Sequence, residues 1–236
     1  RHILSESHPM KPVRLRYTYE LLSAYGSFNT VDSLLVPARE AKKEEILSFH
    51  SEQYFNGVRS LGRSDDSVDP RLFNFGSGDN PHYPGIDKAS LLSSGATMKA
   101  TDMLIDGQVE AAFSIAGGLH HAMPNYTYGF CVFNDPVLAI NKFLKKGLKV
   151  AYVDIDCHHG DGVQHAYYDS DQVLTISIHE SGSFLFPGTG FPEETGAGKG
   201  RGYSVNVPLY PYTSDGDYLW AFKEIVPPLI QQFKPD

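Results

Sequence analysis

The stretch Tyr152-Val153-Asp154-Ile155-Asp156-Cys157-His158-His159-Gly160-Asp161-Gly162 packs three carboxylates and two imidazoles into eleven residues. It overlaps an apolar run, Leu148 to Val153, that reads as a buried strand. Polar groups this dense at the end of such a strand are expensive to bury unless a metal or a proton-transfer network satisfies them. If the strand continues, period-two alternation puts Asp154, Asp156 and His158 on one face and Val153, Ile155 and Cys157 on the other, which faces the core. An aspartate and a histidine two residues apart on one face can both reach a single cation. A carboxylate-capped loop with surface histidines would leave Asp154 and Asp156 unexplained on so apolar a strand.

Upstream, a helix from Asp135 to Lys146, capped by Asn134 and ended by Gly147, leads into a strand expected over Leu148 to Asp156. Val109 to Ile115 reads as an earlier strand, followed by Ala116-Gly117-Gly118-Leu119-His120-His121, where two glycines allow a tight turn before a histidine pair. Both pairs, His120-His121 and His158-His159, are thus expected to follow strands. Strand, turn, helix, strand is the crossover pattern of a parallel sheet. Downstream, a helix near Gly162 to Tyr168, a strand from Val173 to His179 and another within Gly202 to Leu209 continue it. The pattern predicts an α/β domain with a largely parallel sheet flanked by helices, whose ligands bind at the carboxyl ends of the strands.

Toward the N-terminus, a helix is predicted from Val13 to Tyr25, entered at Pro12 and stopped at Gly26. Leu34 to Val36 reads as a short strand, and Ala41 to Leu61 as one or two helices. Arg63 to Gly85 is rich in Ser, Asp, Gly, Asn and Pro, which predicts a long loop. Leu91, Met98 and Ile105 recur at seven-residue spacing, a core-facing helix ended by Gly107. The Pro187 to Gly202 loop invites a phosphate-loop reading, but Gly200 follows Gly198-Lys199 where a hydroxyl belongs. The last helix, from about Ser214 to Phe233, contains Pro227-Pro228 and is expected to kink or restart there.

With 236 residues, 41% of them hydrophobic, the chain is long enough for one domain, 1–236, with a substantial core. A formal charge of −8, from 20 basic and 28 acidic residues, argues against direct nucleic-acid binding and favours a cationic substrate. Cys131 and Cys157 form neither a CxxC motif nor a disulfide framework, so a reducing cytoplasm is the simpler compartment. No apolar run approaches a membrane span, and no secretory layout opens the chain. It starts at Arg1 and stops at Asp236 just past a helical pattern, so both ends read as cut.

The two histidine pairs, with carboxylates near them, offer what a metal hydrolase needs. Zinc polarises a carbonyl and lowers the pKa of a bound water to about 7. An imidazole beside it can take that water's proton, and a carboxylate behind the imidazole fixes its tautomer.

At these residues a family resemblance enters. Gly117-Gly118-Leu119-His120-His121, Gly129-Phe130-Cys131-Val132-Phe133-Asn134-Asp135, Asp154-Ile155-Asp156-Cys157-His158-His159-Gly160-Asp161-Gly162 and Phe186-Pro187-Gly188-Thr189-Gly190 resemble the zinc-dependent histone deacetylase superfamily. The branch most similar is that of class I and acetoin utilisation proteins, and the resemblance runs from His8-Pro9-Met10-Lys11-Pro12 to the end of the chain. It implies a three-layer arginase/deacetylase-type fold and hydrolysis of an acetyl amide by zinc-activated water, on acetylated lysine peptides or acetylated polyamines.

By motif, the resemblance implies Asp156 and His158 as zinc ligands and His120 and His121 as the imidazole pair, oriented by Asp154 and Asp161 respectively. Phe130 and Phe186 would wall a narrow tube for the substrate's alkyl chain, with Gly129 at its side. Asp79 is a weaker match to a rim carboxylate that holds the substrate backbone. A potassium ion is implied at backbone oxygens of Asp154, Asp156 and His158 with the side chain of Ser177, and a second near Tyr167, Ser170, Val173 and Tyr203. Arg14 matches an arginine facing an internal cavity. The family's third zinc ligand, an aspartate, and its oxyanion-stabilising tyrosine would come after Asp236, so these residues alone are expected to be incomplete for activity.

Two rival readings accompany this one. Arginase-like binuclear manganese hydrolases share the fold but generally use Asp-x-His-x-Asp on this strand, and Gly160 stands where the second aspartate would be. A non-catalytic acetyl-amine binding module would have no need of His120, His121, Asp154 and Asp161.

Overall fold

A computed structural model of the protein describes residues 8–65, 67–76 and 78–236. The chain divides into two compact units, Arg1–Ala139 and Ile140–Asp236, each with a hydrophobic cluster of its own.

The first unit is helical. Helix α1 (Val13–Ala24) begins at Pro12 and stops before Gly26, whose φ of 72° suits a residue without a Cβ. It buries none of its residues. Two helices, α2 (Lys43–Ile46) and α3 (Glu52–Gly62), fill the Ala41 to Leu61 region. The Ser51 side chain caps α3 by accepting from Tyr54 N, and Tyr54, Phe55, Val58 and Leu61 form its buried face. Helix α4 (Ile86–Ile105) buries Leu91 and Met98 at the expected spacing. At Gly95 it passes so close to the chain that a Cβ would stand 1.8 Å from the Arg39 carbonyl oxygen. Among its described residues, the predicted long loop Arg63 to Gly85 carries only a short 3-10 helix, Pro70–Phe73.

Two expected strands are absent. Leu34 to Val36 has no regular structure, and Leu34 is 68% exposed. Val109 to Ile115 is irregular too, with Glu110 to Phe113 exposed. A strand needs a ladder partner for its backbone groups, and among the described residues of this unit the only β pairing is the isolated Tyr128–Cys131 bridge. His120-His121 therefore does not follow a strand.

Helix α5 (Asp135–Leu144) starts where Asn134 accepts from Val137 N at 3.2 Å, as its predicted cap. The second unit contains β1 (Val150–Asp154), α6 (Asp161–Tyr167), β2 (Val173–Glu180), β3 (Ser204–Leu209) and α7 (Asp215–Phe233). The three strands form a parallel sheet in the order β1-β2-β3, with Asp154 opposite Ser177 and Ser177 opposite Asn206. Central β2 alternates. Leu174, Ile176 and Ile178 join the core with Val226 and Phe233 of α7. Thr175, Ser177 and His179 take the alternate positions, which point to the opposite face. Helix α7 does not restart at Pro227-Pro228 and runs through both prolines. Lys149 Nζ donates to the Phe233 carbonyl at 2.8 Å and satisfies an orphan acceptor at its end.

Strand β1 stops at Asp154, two residues before the expected end. Asp154 Oδ1 accepts from Asp156 N at 3.0 Å, and Asp156 Oδ1 from His158 N at 2.8 Å. Each aspartate thus bonds the backbone two residues on and turns the chain out of the sheet. Strict alternation fails in consequence: Ile155 is 65% exposed and Cys157 is exposed, so neither is a core residue. Among the described residues no helix is long and apolar enough to cross a membrane.

Candidate active site

In the first unit, His120 and His121 are both buried, with ring centroids 4.0 Å apart and planes tilted by 51°. Two side chains hold the turn that carries them. The Asp135 carboxylate accepts from Gly118 N (3.1 Å), Leu119 N (2.9 Å) and the Thr97 hydroxyl (2.6 Å). Burial pushes this carboxyl up from its ordinary value, against the pull of those donors. The Asn134 amide donates to the carbonyls of His120 (2.9 Å) and Ala122 (3.0 Å). A residue expected only to cap a helix thus also clamps the histidine pair, and the sequence signal for that second role was its place in Gly129-Phe130-Cys131-Val132-Phe133-Asn134-Asp135.

Gly129 and Phe130 adopt φ of 50° and 69°. For phenylalanine this left-handed conformation is uncommon and costs on the order of 1 kcal/mol or more. The Asn80 side chain supports it by accepting from Phe130 N at 3.0 Å. The Phe130 ring meets His8 edge-on at 4.6 Å, and His8 Nε2 lies 3.2 Å from the Asp79 carbonyl oxygen. Asp79 therefore belongs to the same cluster as Gly129 and Phe130. Arg14 is exposed on α1.

In the second unit, Asp154 is buried at the carboxyl end of β1, where its Oδ2 accepts from the Tyr152 hydroxyl at 2.7 Å. Asp161 is buried in the first turn of α6, where a negative charge suits the helix dipole. Asp156 Oδ1 and His158 Nδ1 stand 2.9 Å apart, and with Cys157 they offer three ligand atoms within 4.8 Å of one another. Two ligands each about 2 Å from one zinc stand roughly 3.3 Å apart, so the Asp156–His158 pair fits a shared ion after a small separation. The Phe186 ring lies 6.1 Å from that of His158, edge-on.

Behind these residues lies a buried network that sequence reasoning did not anticipate. His159 and His179 are buried with ring centroids 4.9 Å apart. His159 Nε2 donates to Gln164 Oε1 (3.2 Å), and its Nδ1 accepts from the Thr189 hydroxyl (2.8 Å). His179 Nε2 donates to the Gly190 carbonyl (2.9 Å), which leaves Nδ1 to accept from Ser177 (2.8 Å). Desolvation lowers both imidazoles, His159 to about 4. Glu194 accepts from Gly190 N, Phe191 N and the Gln164 amide. The loop after Phe186 is thus tied to the sheet by side chains. Its Gly and Pro content announced a loop but not these partners.

The histone deacetylase domain family matches residues 8–236 of this chain. The acetoin utilization protein AcuC of Bacillus subtilis (strain 168) is 38% identical over 237 residues, covering 100% of this chain and 61% of that protein. Histone deacetylase 1 of Homo sapiens is 40% identical over 233 residues, covering 98% of this chain and 48% of that one. A solved histone deacetylase homologue complexed with SAHA superposes with a TM-score of 0.84 at 37% identity, over 97% of this chain and 61% of that chain. Another, from Aquifex aeolicus, gives 0.80 at 37% identity, over 90% and 57%. The chain thus spans about half to three-fifths of the length of these relatives. The α/β fold with a parallel sheet is that of the deacetylase homologues, and the chain belongs to the histone deacetylase family.

Proposed function

We propose that the chain carries most of the catalytic apparatus of a zinc-dependent deacetylase that removes acetyl groups from acetylated amines, of the acetyl-lysine or acetylpolyamine type. The observation that carries this reading is the convergence of Asp156 Oδ1 and His158 Nδ1, 2.9 Å apart, within a chain of this family. When bound, zinc would polarise the acetyl carbonyl and make water a nucleophile near neutral pH. Asp156 and His158 would hold it.

The remaining work falls to the chain's own residues. His120 and His121 are the proton carriers: an imidazole takes a proton from the attacking water, and an imidazole returns one to the leaving amine nitrogen as the C–N bond breaks. Asp154 and Asp161 are the supporting carboxylates. Phe130 and Phe186 line the acyl-amine's alkyl chain and exclude water from it, with Gly129 leaving room, and Asp79 holds the substrate backbone. Support for a potassium ion at the carbonyls of Asp154, Asp156 and His158 comes from the register of Asp154 with Ser177. The Ser177 hydroxyl gives its proton to His179, so its oxygen lone pairs remain available to a cation. Cys131 and Cys157 are not joined in a disulfide, which suits a reducing cytoplasm.

The test uses the natural full-length protein. It is expected to bind one zinc and to cleave an acetyl-lysine reporter. His121→Ala should remove most of the rate and leave the zinc in place. A metal-loaded protein that bound acetyl-lysine peptides and acetylpolyamines without cleaving either would leave the binding-module reading instead.

A further inference from the structure

His50 lies between α2 and α3, far in sequence from the histidine pair, and is 2% exposed. Its ring is boxed by Phe49, Tyr54 and Phe133, with centroids 4.9, 5.5 and 5.2 Å away. In such a box an apolar side chain would pack without any desolvation cost. The imidazole instead makes two directed hydrogen bonds. Asn134 N can only donate, so His50 Nε2 accepts from it at 3.0 Å. The proton then sits on Nδ1, which donates to the Met123 carbonyl at 3.0 Å.

One bond ends on the segment that carries His120 and His121, at Met123, and the other on Asn134, the residue that clamps that segment. Asn134, whose backbone His50 holds, clamps the carbonyls of His120 and Ala122. Met123 lies two residues beyond His121, and the next carbonyl, Pro124, accepts from Ser51 N at 3.0 Å. The backbone is therefore fixed at 120, 122, 123 and 124, on both sides of His121, by Asn134 and the His50-Ser51 pair.

We propose that His50 is a positioning residue for the His120-His121 imidazole pair: as the Nδ1-protonated tautomer it locks Asn134 and Met123 and so sets where the two rings point. This inference rests on the reading of His120 and His121 as proton carriers. A shift of about 1 Å in such groups costs roughly a hundredfold in rate, while substrate affinity depends on other side chains.

The experiment compares His50→Phe, His50→Asn and His50→Gln in the zinc-loaded full-length protein, with an acetyl-lysine peptide as substrate. His50→Phe fills the box without hydrogen bonds, and it should lower kcat about a hundredfold with KM within about twofold of wild type. His50→Gln keeps an acceptor at the distal position for Asn134 N and should restore most of kcat; His50→Asn, which cannot reach it, should not. Equal kcat in Phe and Gln variants that unfold at wild-type temperature, or a change confined to KM, overturns the proposal. Imidazole 15N spectra of the wild-type protein give an arm independent of variant folding and of activity. They should show His50 protonated at Nδ1 with Nε2 accepting, and a His50 protonated at Nε2 overturns the proposal. A wild-type protein with no deacetylase activity at all defeats the functional reading, and the spectra then still test the brace itself.

Discussion

Gly190 and His179 are in contact at the limit of packing: the Gly190 carbonyl accepts from His179 Nε2 at 2.9 Å, and a Cβ on Gly190 would stand 2.3 Å from that same nitrogen. It would also stand 2.6 Å from Cγ of His159, and the residue has a φ of +86°. Both rings are held by further hydrogen bonds, so neither can withdraw cheaply. Gly190→Ala is therefore expected to destabilise the protein by about 2–4 kcal/mol, from overpacking plus the left-handed backbone. Denaturant unfolding at equilibrium measures it. A loss below about 0.5 kcal/mol would mean that the loop after Phe186 yields easily.

Asn134 joins three jobs in one buried side chain, since it caps α5 and binds the carbonyls of His120 and Ala122. Asn134→Ala takes a buried donor away from two carbonyls and removes the cap. The expected cost is about 2–5 kcal/mol, read as a fall in the unfolding midpoint. Asn134→Asp keeps the cap but replaces the donor with an acceptor facing two carbonyls, so it should be no better than alanine. An aspartate variant near wild-type stability would contradict the clamp.

Stability should depend on pH through His50. Burial lowers this imidazole from 6.5 to about 4, against the smaller upward pull of its backbone partners. Between those values the unfolded chain binds a proton that the folded chain does not, so stability rises with pH. The contribution is fully present above about 6.5 and is lost progressively as pH falls toward 4, up to on the order of 3 kcal/mol. The raised Asp135 carboxyl acts in the opposite sense. Chemical unfolding of metal-free protein from pH 7 to pH 4 should show the loss, and His50→Gln should shrink it, leaving the part that the likewise lowered His159 and His179 contribute. An unchanged slope in that variant would assign the effect to other groups.

Zinc affinity should separate Asp156 and His158 from the residue between them. His158→Ala and Asp156→Ala each remove a proposed ligand and should weaken binding by at least about a hundredfold, whereas Cys157→Ser should stay within about threefold. Competition with a chromogenic chelator measures all three. A large loss in the serine variant would make the Cys157 thiolate a ligand.

The helices were legible where local rules decide them. Pro12 and Gly26 bracket α1, Asn134 caps α5, and the spacing of Leu91 and Met98 announces α4. Strands β2 and β3 were visible as apolar runs between turns. Val109 to Ile115 was misread because alternation and β-branched residues favour an extended chain, yet a strand exists only where another strand accepts its backbone bonds. The end of β1 was misread for a different reason. Asp154 and Asp156 turned their carboxylates onto the backbone two residues ahead and broke the ladder that a sheet pattern would have continued.

The amino-acid sequence by itself determined which candidate groups stand together, because Asp156-Cys157-His158 and His120-His121 are contiguous and contiguous groups cannot be far apart. It also determined the helical turns and the glycines at left-handed positions, which depend on near neighbours. Only the tertiary structure decided what holds those groups in place. His50 meets Asn134 across 84 positions, and His159 meets Thr189 across 30. Such partners are chosen by which buried donors and acceptors the packed chain brings within about 3 Å of one another, and no local pattern encodes that choice.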